Sequence, residues 1–496
     1  MGATHQKRPH FNFDNSFART FEDFYVSCRA DPAAAPKLLQ LNHALAEELG
    51  LDAAALDSEA GLAIFSGNAI PEGAEPLAQA YAGHQFGGYA SQLGDGRALL
   101  LGEVIDTRQR RRDIQLKGSG PTPFSRGGDG KAPLGPVLRE YLIGEAMHAL
   151  GIPTTRALAA VSTGDAVYRE IPLPGAVLTR VAASHLRVGT FQFFAARGGV
   201  HKVRELAEYA IARHYPGLAE AENPFLAFFA AVADAQASLV ARWMNVGFIH
   251  GVMNTDNMAI SGETLDYGPC AFMDTYAPGT VFSSIDRQGR YAYGNQPAIL
   301  SWNLTRFAET LVPLVDPVKD RSVELLTDAI QQVQPLYEAH RLAGMRSKIG
   351  LTTEEPDDLD LVNDLLWVMK DGQADFTLFF RRLSRVLRGE SGAAGRLLEQ
   401  SGAFEVWARR WRKRLAREGI PPETQAEAMD RVNPIYIPRN HKVEEALAAA
   451  VQHQDMGPFS KLLSAVSRPF DEAAGNEAYT LPAPVTDIPY QTFCGT

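Results

Sequence analysis

Apolar and polar positions follow one period in the first half of the chain and another in the second. Residues 98–104 (ALLLGEV) form a short apolar run beside glycines. Residues 112–118 (RDIQLKG) alternate, with Ile114 and Leu116 on one face and Asp113, Gln115 and Lys117 on the other. Both read as strands, and 176–188 (AVLTRVAASHLRV) is a third. Between them Val137, Leu138, Tyr141, Leu142 and Ala146 recur at helical spacing, after a start near Pro133–Pro136 and before Gly151, which predicts a helix. Upstream, 37–50 reads as helical and ends at Gly50. From about 190 the helical period takes over. Its strongest case is 224–246, closed by Gly247, and further helices are predicted at 319–343, 359–371, 376–388 and 394–418. Two short helices fall within 432–496. The pattern predicts an α+β protein with sheet first and helices after.

The stretch that organises the chemistry is 248–268 (FIHGVMNTDNMAISGETLDYG). It reads as a strand, a polar loop, a β-hairpin turning at Ser261-Gly262, and a second loop. Such a hairpin sets Asn257 beside Asp266. An amide oxygen and a carboxylate make a partial site for Mg²⁺ or Mn²⁺, ions that keep waters and take further ligands from phosphates. The spacing resembles the catalytic half of a protein kinase, where a His-x-Asp precedes a metal-binding Asn and an Asp-x-Gly follows a hairpin. Here the matching residues are His250, Asn257 and Asp266-Tyr267-Gly268, but Val252 stands where the catalytic Asp belongs. Valine accepts no proton, so either the site is inactive or its base is Asp256. An isolated Asx-rich loop is usually just a turn; residues upstream must decide.

Those residues have phosphate-handling character. Gly94-Asp95-Gly96-Arg97 offers free backbone N–H groups and an arginine, although an ordinary turn explains it equally. Lys117 on a strand and Glu140 on a helix have the order of a kinase ion pair, whereas most such pairs are surface decoration. The intervening segment 118–131 is rich in glycine, including Gly118, Gly120, Gly127, Gly128 and Gly130, as a chain needs where its backbone approaches a ligand. Arg180 and Arg187 suit terminal phosphates. His84, in Ala80-Tyr81-Ala82-Gly83-His84-Gln85-Phe86-Gly87, is read as a hydrogen-bonded structural histidine.

Composition narrows the classes. The 496 residues are 45% hydrophobic and 21% charged, with a formal net charge of −10. An acidic chain is a poor general nucleic-acid binder. The dense basic face of 394–418 (Arg409, Arg410, Arg412, Lys413, Arg414, Arg417) is expected to be solvated or to meet acidic partners. Three cysteines (Cys28, Cys270, Cys494) form no disulfide framework or zinc pattern, which points to a reducing, cytoplasmic home. There is no secretory pattern after Met1 and no run of 18 apolar residues, and Gln6 spoils a myristoylation motif at Gly2. No membrane partner is expected.

Taken together, AYAGHQFG, QLGDGRALLLGE, DIQLKGSG-PTPFSRGGDG, LREYLIGEAM, HGVMNTDNM, DYGP and NPIYIPRNHKVEEAL resemble the selenoprotein O family over essentially the whole chain. The resemblance implies a kinase-like two-lobed fold with a sheet-rich lobe at 91–190 and a helical lobe at 191–400. Segments 1–90 and 401–496 would be extensions wrapping it. It implies transfer of AMP from ATP, or UMP from UTP, to Ser, Thr or Tyr of other proteins, with Mg²⁺ or Mn²⁺. The nucleotide would lie inverted, its α-phosphate at the reaction centre. Carried over by motif, Gly94, Gly96, Arg97, Lys117, Asp129, Gly130, Arg180, Arg187 and Asp266 would bind the nucleotide. Glu140 would pair with Lys117, Asn257 and Asp266 would hold the metal, and Asp256 would take the proton. Cys494 falls where many relatives carry selenocysteine, which implies redox control, with Cys270 a candidate partner. A conventional phosphotransferase and a non-catalytic ATP-binding scaffold are the alternatives.

Overall fold

The computed structural model describes residues 8–399, 402–484 and 490–493, a mixed α/β chain in which one antiparallel sheet is followed by a long series of helices. Across the sheet run Tyr25–Ser27, Leu77–Gln79, Ala98–Ile105, Arg111–Lys117, Pro172–Ala182, Arg156–Tyr168 and Lys37–Leu41. Ala132–Pro133 pairs with Pro172–Ala182 off this path. The register fixes which side chains meet. Lys117 lies opposite Leu178, and Gln115 opposite Arg180. Cross-strand partners and residues two apart share a face, so Lys117, Gln115 and Arg180 project together. The opposite face, with Ile114, Leu116, Val177 and Val181, packs on Leu45, Leu49 and Phe65 from the N-terminal segment.

The Leu134–Ala149 helix covers the first face. Its Leu138 and Leu142 are fully buried, in one cluster with Ala160 and Leu178 of the sheet. The same cluster takes in Val443 and Phe459 from the Asn440–His453 and Gly457–Val466 helices, so the end of the chain closes over the sheet side. Each such leucine contributes about 1.5–3 kcal/mol of burial, and Leu142→Ala would cost about 2–5 kcal/mol. The helix therefore holds Glu140 rigidly against Lys117.

The Pro224–Val246 helix begins where Asn223 accepts from the Leu226 N–H and ends at Gly247, whose φ of 74° suits glycine. It is long and apolar enough to cross a membrane by length and composition, yet more than half of its most apolar stretch is buried in the protein. Its neighbours are the Gln296–Val315 and Val333–Lys348 helices. It leads directly into the organising stretch.

The sequence pattern and the structure part company in several places. Lys37–Leu41 is a strand on Arg156–Tyr168, and only His43–Glu48 is helical, started by the Asn42 side chain. Five residues are too few for periodicity to separate the two states. The strand predicted over 176–188 stops at Ala182, and Arg187 stands at the start of the Val188–Arg197 helix instead, its N–H donating to Thr190 Oγ1. Carboxylates turn the chain there: Glu263 accepts from the Ala183 N–H and Asp113 from the His185 N–H. The helix predicted at 319–343 divides into Lys319–Gln331 and Val333–Lys348, since Pro335 has no N–H for the Gln331 carbonyl. The one predicted from 394 runs over Gly402–Ala416, preceded by a short 3-10 turn at Gly395–Leu397.

Candidate active site

Phe248–Ile249 pairs with Ala271–Phe272, and this two-stranded ribbon carries the polar loop between its ends. The expected hairpin between Asn257 and Asp266 is reduced to a single bridge, Met258 to Thr264. Thr255–Asn257 forms a 3-10 turn, and Arg187 and Thr154 bridge to Ala259 and Thr264. The segment thus pairs with neighbours more than with itself. His250 braces it: Nδ1 accepts from the Val252 N–H at 3.3 Å, leaving the proton on Nε2, which donates to the Leu265 carbonyl at 3.0 Å. Burial holds this imidazole below its ordinary pKa, so it is a neutral strut.

The loop opens into a cleft of about 340 Å³ lined by Gly94, Gly96, Arg97, Lys117, Asp129, Gly130, Arg180, Arg187, Asp256, Asn257 and Asp266. Sequence reasoning singled out each of these. Glu140 sits behind the wall, bonded to Lys117 at 2.6 Å and to Arg180 at 2.5 Å. Asp266 Oδ1 receives both cations, Lys117 at 2.5 Å and Arg180 at 2.5 Å. Burial alone would raise Asp266, but Lys117, Arg180 and Arg187 hold its carboxyl well below the usual range. Its φ of 65° is in the left-handed region, which a non-glycine residue occupies at a cost when surroundings impose it. Glu140 is likewise held low, burial being outweighed by Arg180 and Lys117.

Arg187 differs from Arg180. It is 1% exposed, stacks 4.1 Å over the Tyr81 ring and reaches Asp95 only at 3.5 Å. Its Nε and Nη1 are buried with no hydrogen-bond partner. A buried guanidinium with unused donors is costly unless something supplies acceptors, and it lines the cleft.

Asp256 is the other incomplete group. Its Oδ1 is buried without a partner, and its Oδ2 is 3.4 Å from Gln85 Nε2. Burial pushes its carboxyl up to about 6. The backbone of Gly83 comes so close that a Cβ there would lie 2.4 Å from Asp256 Oδ1. Asn257 donates its Nδ2 to the Val252 carbonyl at 3.0 Å, which leaves its Oδ1 to serve as a ligand. Asn257 and Asp266 present hard oxygen donors to an open cleft, a pair that fits a divalent ion also bound by phosphates and water.

On the opposite wall the glycines permit close packing. Gly130 has φ 63°, and a Cβ on it would lie 2.1 Å from the Gly120 carbonyl oxygen. Asp129 is clasped by Arg169 at 2.8 and 3.1 Å and accepts from the Lys131 N–H. The Gly-Asp-Gly segment is no hairpin turn: Asp95 points inward, accepting from the Gln79 N–H and Gln115. Tyr81, Gln85, Asp95 and Arg169 were not predicted. Gln85 and Asp256 are 171 positions apart, and no local spacing signals such a contact. His84, read as structural, bonds Gln192 through Nδ1, while its N–H donates to Thr255 Oγ1.

The basic helix meets acids within the chain. Arg414 pairs with Asp358 and Glu418, Arg417 with Glu355, and Arg410 with Asp364. Cys494 lies outside the described residues. Cys270 is a buried free thiol pushed up to about 12 by burial, and Cys28 is raised to about 11 for the same reason.

A family model described as protein adenylyltransferase SelO matches residues 7–467. The chain belongs to the SelO family. The span of that match contains the whole cleft and ends before Cys494. Relatives named protein nucleotidyltransferase YdiU include one from Cereibacter sphaeroides, 62% identical over 488 residues, covering 98% of this chain and 100% of the relative. Those from Rhizobium meliloti and Agrobacterium fabrum are 60% and 56% identical, each covering 98% of this chain and 99% of the relative. A SelO-type assignment therefore rests on full-length similarity as well as on the cleft.

Proposed function

We propose that this protein transfers AMP from ATP to Ser, Thr or Tyr hydroxyls of other proteins, with UMP from UTP as the variant reaction. Its family and its relatives' names make it a protein nucleotidyltransferase. The observation that supports this chemistry here is a complementary pair of incomplete groups lining one cleft: Arg187 has buried donors without acceptors, and Asp256 has a buried acceptor without a donor. Triphosphate oxygens would complete the first, and an attacking hydroxyl the second.

In this reading the sheet side and the helical side act as kinase-like lobes, near 91–190 and 191–400, with 1–90 and 401–496 as extensions. Arg180, Arg187 and Lys117 hold the triphosphate, with Gly94, Gly96, Arg97, Asp129 and Gly130 along the nucleotide. Asn257 and Asp266 would hold Mg²⁺ or Mn²⁺, which when bound supplies charge neutralisation at the phosphates. The acceptor hydroxyl gives its proton to Asp256 as its oxygen bonds to the α-phosphorus. The bond from that phosphorus to the β-phosphate's bridging oxygen breaks, and pyrophosphate leaves. Positioning and fixed charge carry most of such a reaction. Val252 offers nothing to a hydroxyl at the usual kinase position. The cysteine content fits a cytoplasmic enzyme, and Cys494 would be a redox handle.

The released product tests this. With ATP and an acceptor protein, pyrophosphate should accumulate with modified acceptor, and Asp266→Ala should abolish both. Release of ADP in step with acceptor modification would establish a phosphotransferase instead.

A further inference from the structure

Beside the catalytic loop stands a small hairpin, Gly83–Gln85 paired with Gly88–Ala90. Its two-residue turn is Phe86-Gly87, both with positive φ (51° and 87°). Such turns favour Asn, Asp or Gly at the first position. A phenylalanine there is strained and 38% exposed, so neither backbone preference nor burial explains it. Strain of this kind is held in place where function uses it. The Phe86 N–H is fixed by Asn254 Oδ1 at 3.1 Å and the Tyr291 hydroxyl at 3.2 Å. Asn254 is two residues from Asp256, and Gln85, next to Phe86, reaches Asp256 itself. The turn is therefore built onto the reaction centre.

Around it lies an aromatic platform. Phe86 packs on Tyr291, and Tyr89, 46% exposed, packs on His84, which meets Trp302 edge-on. Arg290 lies 4.8 Å from the Trp302 ring and beside Gly87. Its neighbour Arg306 is paired with Glu309. Arg290 has no carboxylate partner for its guanidinium among the described residues. Gln85 lines the cleft whereas Arg290 does not, so the platform flanks the cleft next to Asp256 rather than forming its wall.

We infer that this platform docks the acceptor: an extended protein segment whose hydroxyl reaches Asp256 while a neighbouring carboxylate pairs with Arg290 and its chain lies on Phe86 and Tyr89. This rests on the nucleotidyl-transfer reading and adds a substrate preference, hydroxyls flanked by acidic residues.

Three short synthetic peptides, alike except for Glu, Gln or Lys beside a single serine, test it with α-labelled ATP. Wild type should favour the Glu peptide over the Gln peptide by about fivefold in kcat/KM, the worth of one solvent-rimmed ion pair. Arg290→Ala should erase that ratio, and Arg290→Glu should turn it toward Lys. Phe86→Asn suits the turn, so thermal stability should hold or rise while acceptor KM rises about fivefold for every peptide, the worth of one aromatic contact. ATP affinity should be unchanged in all three variants. A wild type without preference, a ratio that survives Arg290→Ala, or an unchanged acceptor KM in Phe86→Asn would overturn the platform while leaving nucleotidyl transfer standing. ATP binding without label transfer to any peptide or generic protein would remove both.

Discussion

Two groups of arginines illustrate opposite uses of the same side chain. On the Gly402–Ala416 helix, Arg414 is buried and complete: Asp358, Glu418 and the Thr353 carbonyl take its Nε, Nη1 and Nη2 at 2.7, 2.7 and 2.9 Å. In the cleft, Arg187 is as deeply buried, yet Nε and Nη1 make no hydrogen bond, with Asp95 standing 3.5 Å from Nη1. A guanidinium with every donor matched to fixed oxygens is a structural cross-link. One left incomplete beside an open cleft is prepared for an anion that arrives later. Arg414 is of the first kind and Arg187 of the second; Arg180, saturated by Glu140, Gln115 and Asp266, lines the same cleft as Arg187.

Substitutions can break this contrast. The largest effect belongs to Asp266→Ala, which removes a proposed metal ligand and leaves Lys117 and Arg180 without their shared carboxylate; transfer should fall by at least ~10³-fold. Next, Arg187→Ala should lower kcat/KM for nucleotide by about 10²–10³ with little change in melting temperature. Arg414→Ala should do the reverse, losing about 1–3 kcal/mol because Glu418 and the Thr353 carbonyl lose their guanidinium donor while Asp358 keeps Arg346, with near-normal turnover while folded. Paired melts and initial rates check this, and a destabilised Arg187 variant with normal rates would invert the contrast.

Asp256 shows the same logic for an acid. Its folded pKa, about 6, lies above the ordinary 3.8, so the fold favours the protonated form. That favour is fully present below about 3.8 and lost as pH rises through 6. At pH 7.5 the buried charge costs about 1–3 kcal/mol. Asp256→Asn should thus be inactive yet melt above wild type at pH 7.5 without nucleotide or metal, the gap closing toward pH 4. In wild type, kcat/KM should rise with pH through about 6. The smallest effects belong to Arg409 and Arg412, exposed and without carboxylate partners among the described residues; alanine there should shift stability by under ~0.5 kcal/mol and leave rates alone.

How much of this was legible in sequence depended on range. Lys117 was readable because its strand alternates, and the 224–246 helix because its period is long and its Gly247 cap explicit. The cleft's constituents were readable through motifs with fixed spacing. What escaped was set by distant partners. The 257–266 hairpin gave way to bridges because Arg187 and Thr154 compete for its edges. Lys37–Leu41 joined a sheet edge that its own five residues do not announce. Gln85 and Tyr81 reach Asp256 and Arg187 only through tertiary packing. The structural role of Arg414 was hidden too, since a basic helix reads the same whether its acids are solvent counter-ions or Asp358 and Glu418.

The most direct measurement follows phosphorus into protein. Wild type and Asp266→Ala are incubated with a generic acceptor protein, Mg²⁺ or Mn²⁺, a thiol reductant, and ATP labelled at the α- or the γ-phosphate. The account predicts acceptor labelled from the α-phosphate alone, and none with the variant. Label from the γ-phosphate, or α-label that survives Asp266→Ala, would contradict it.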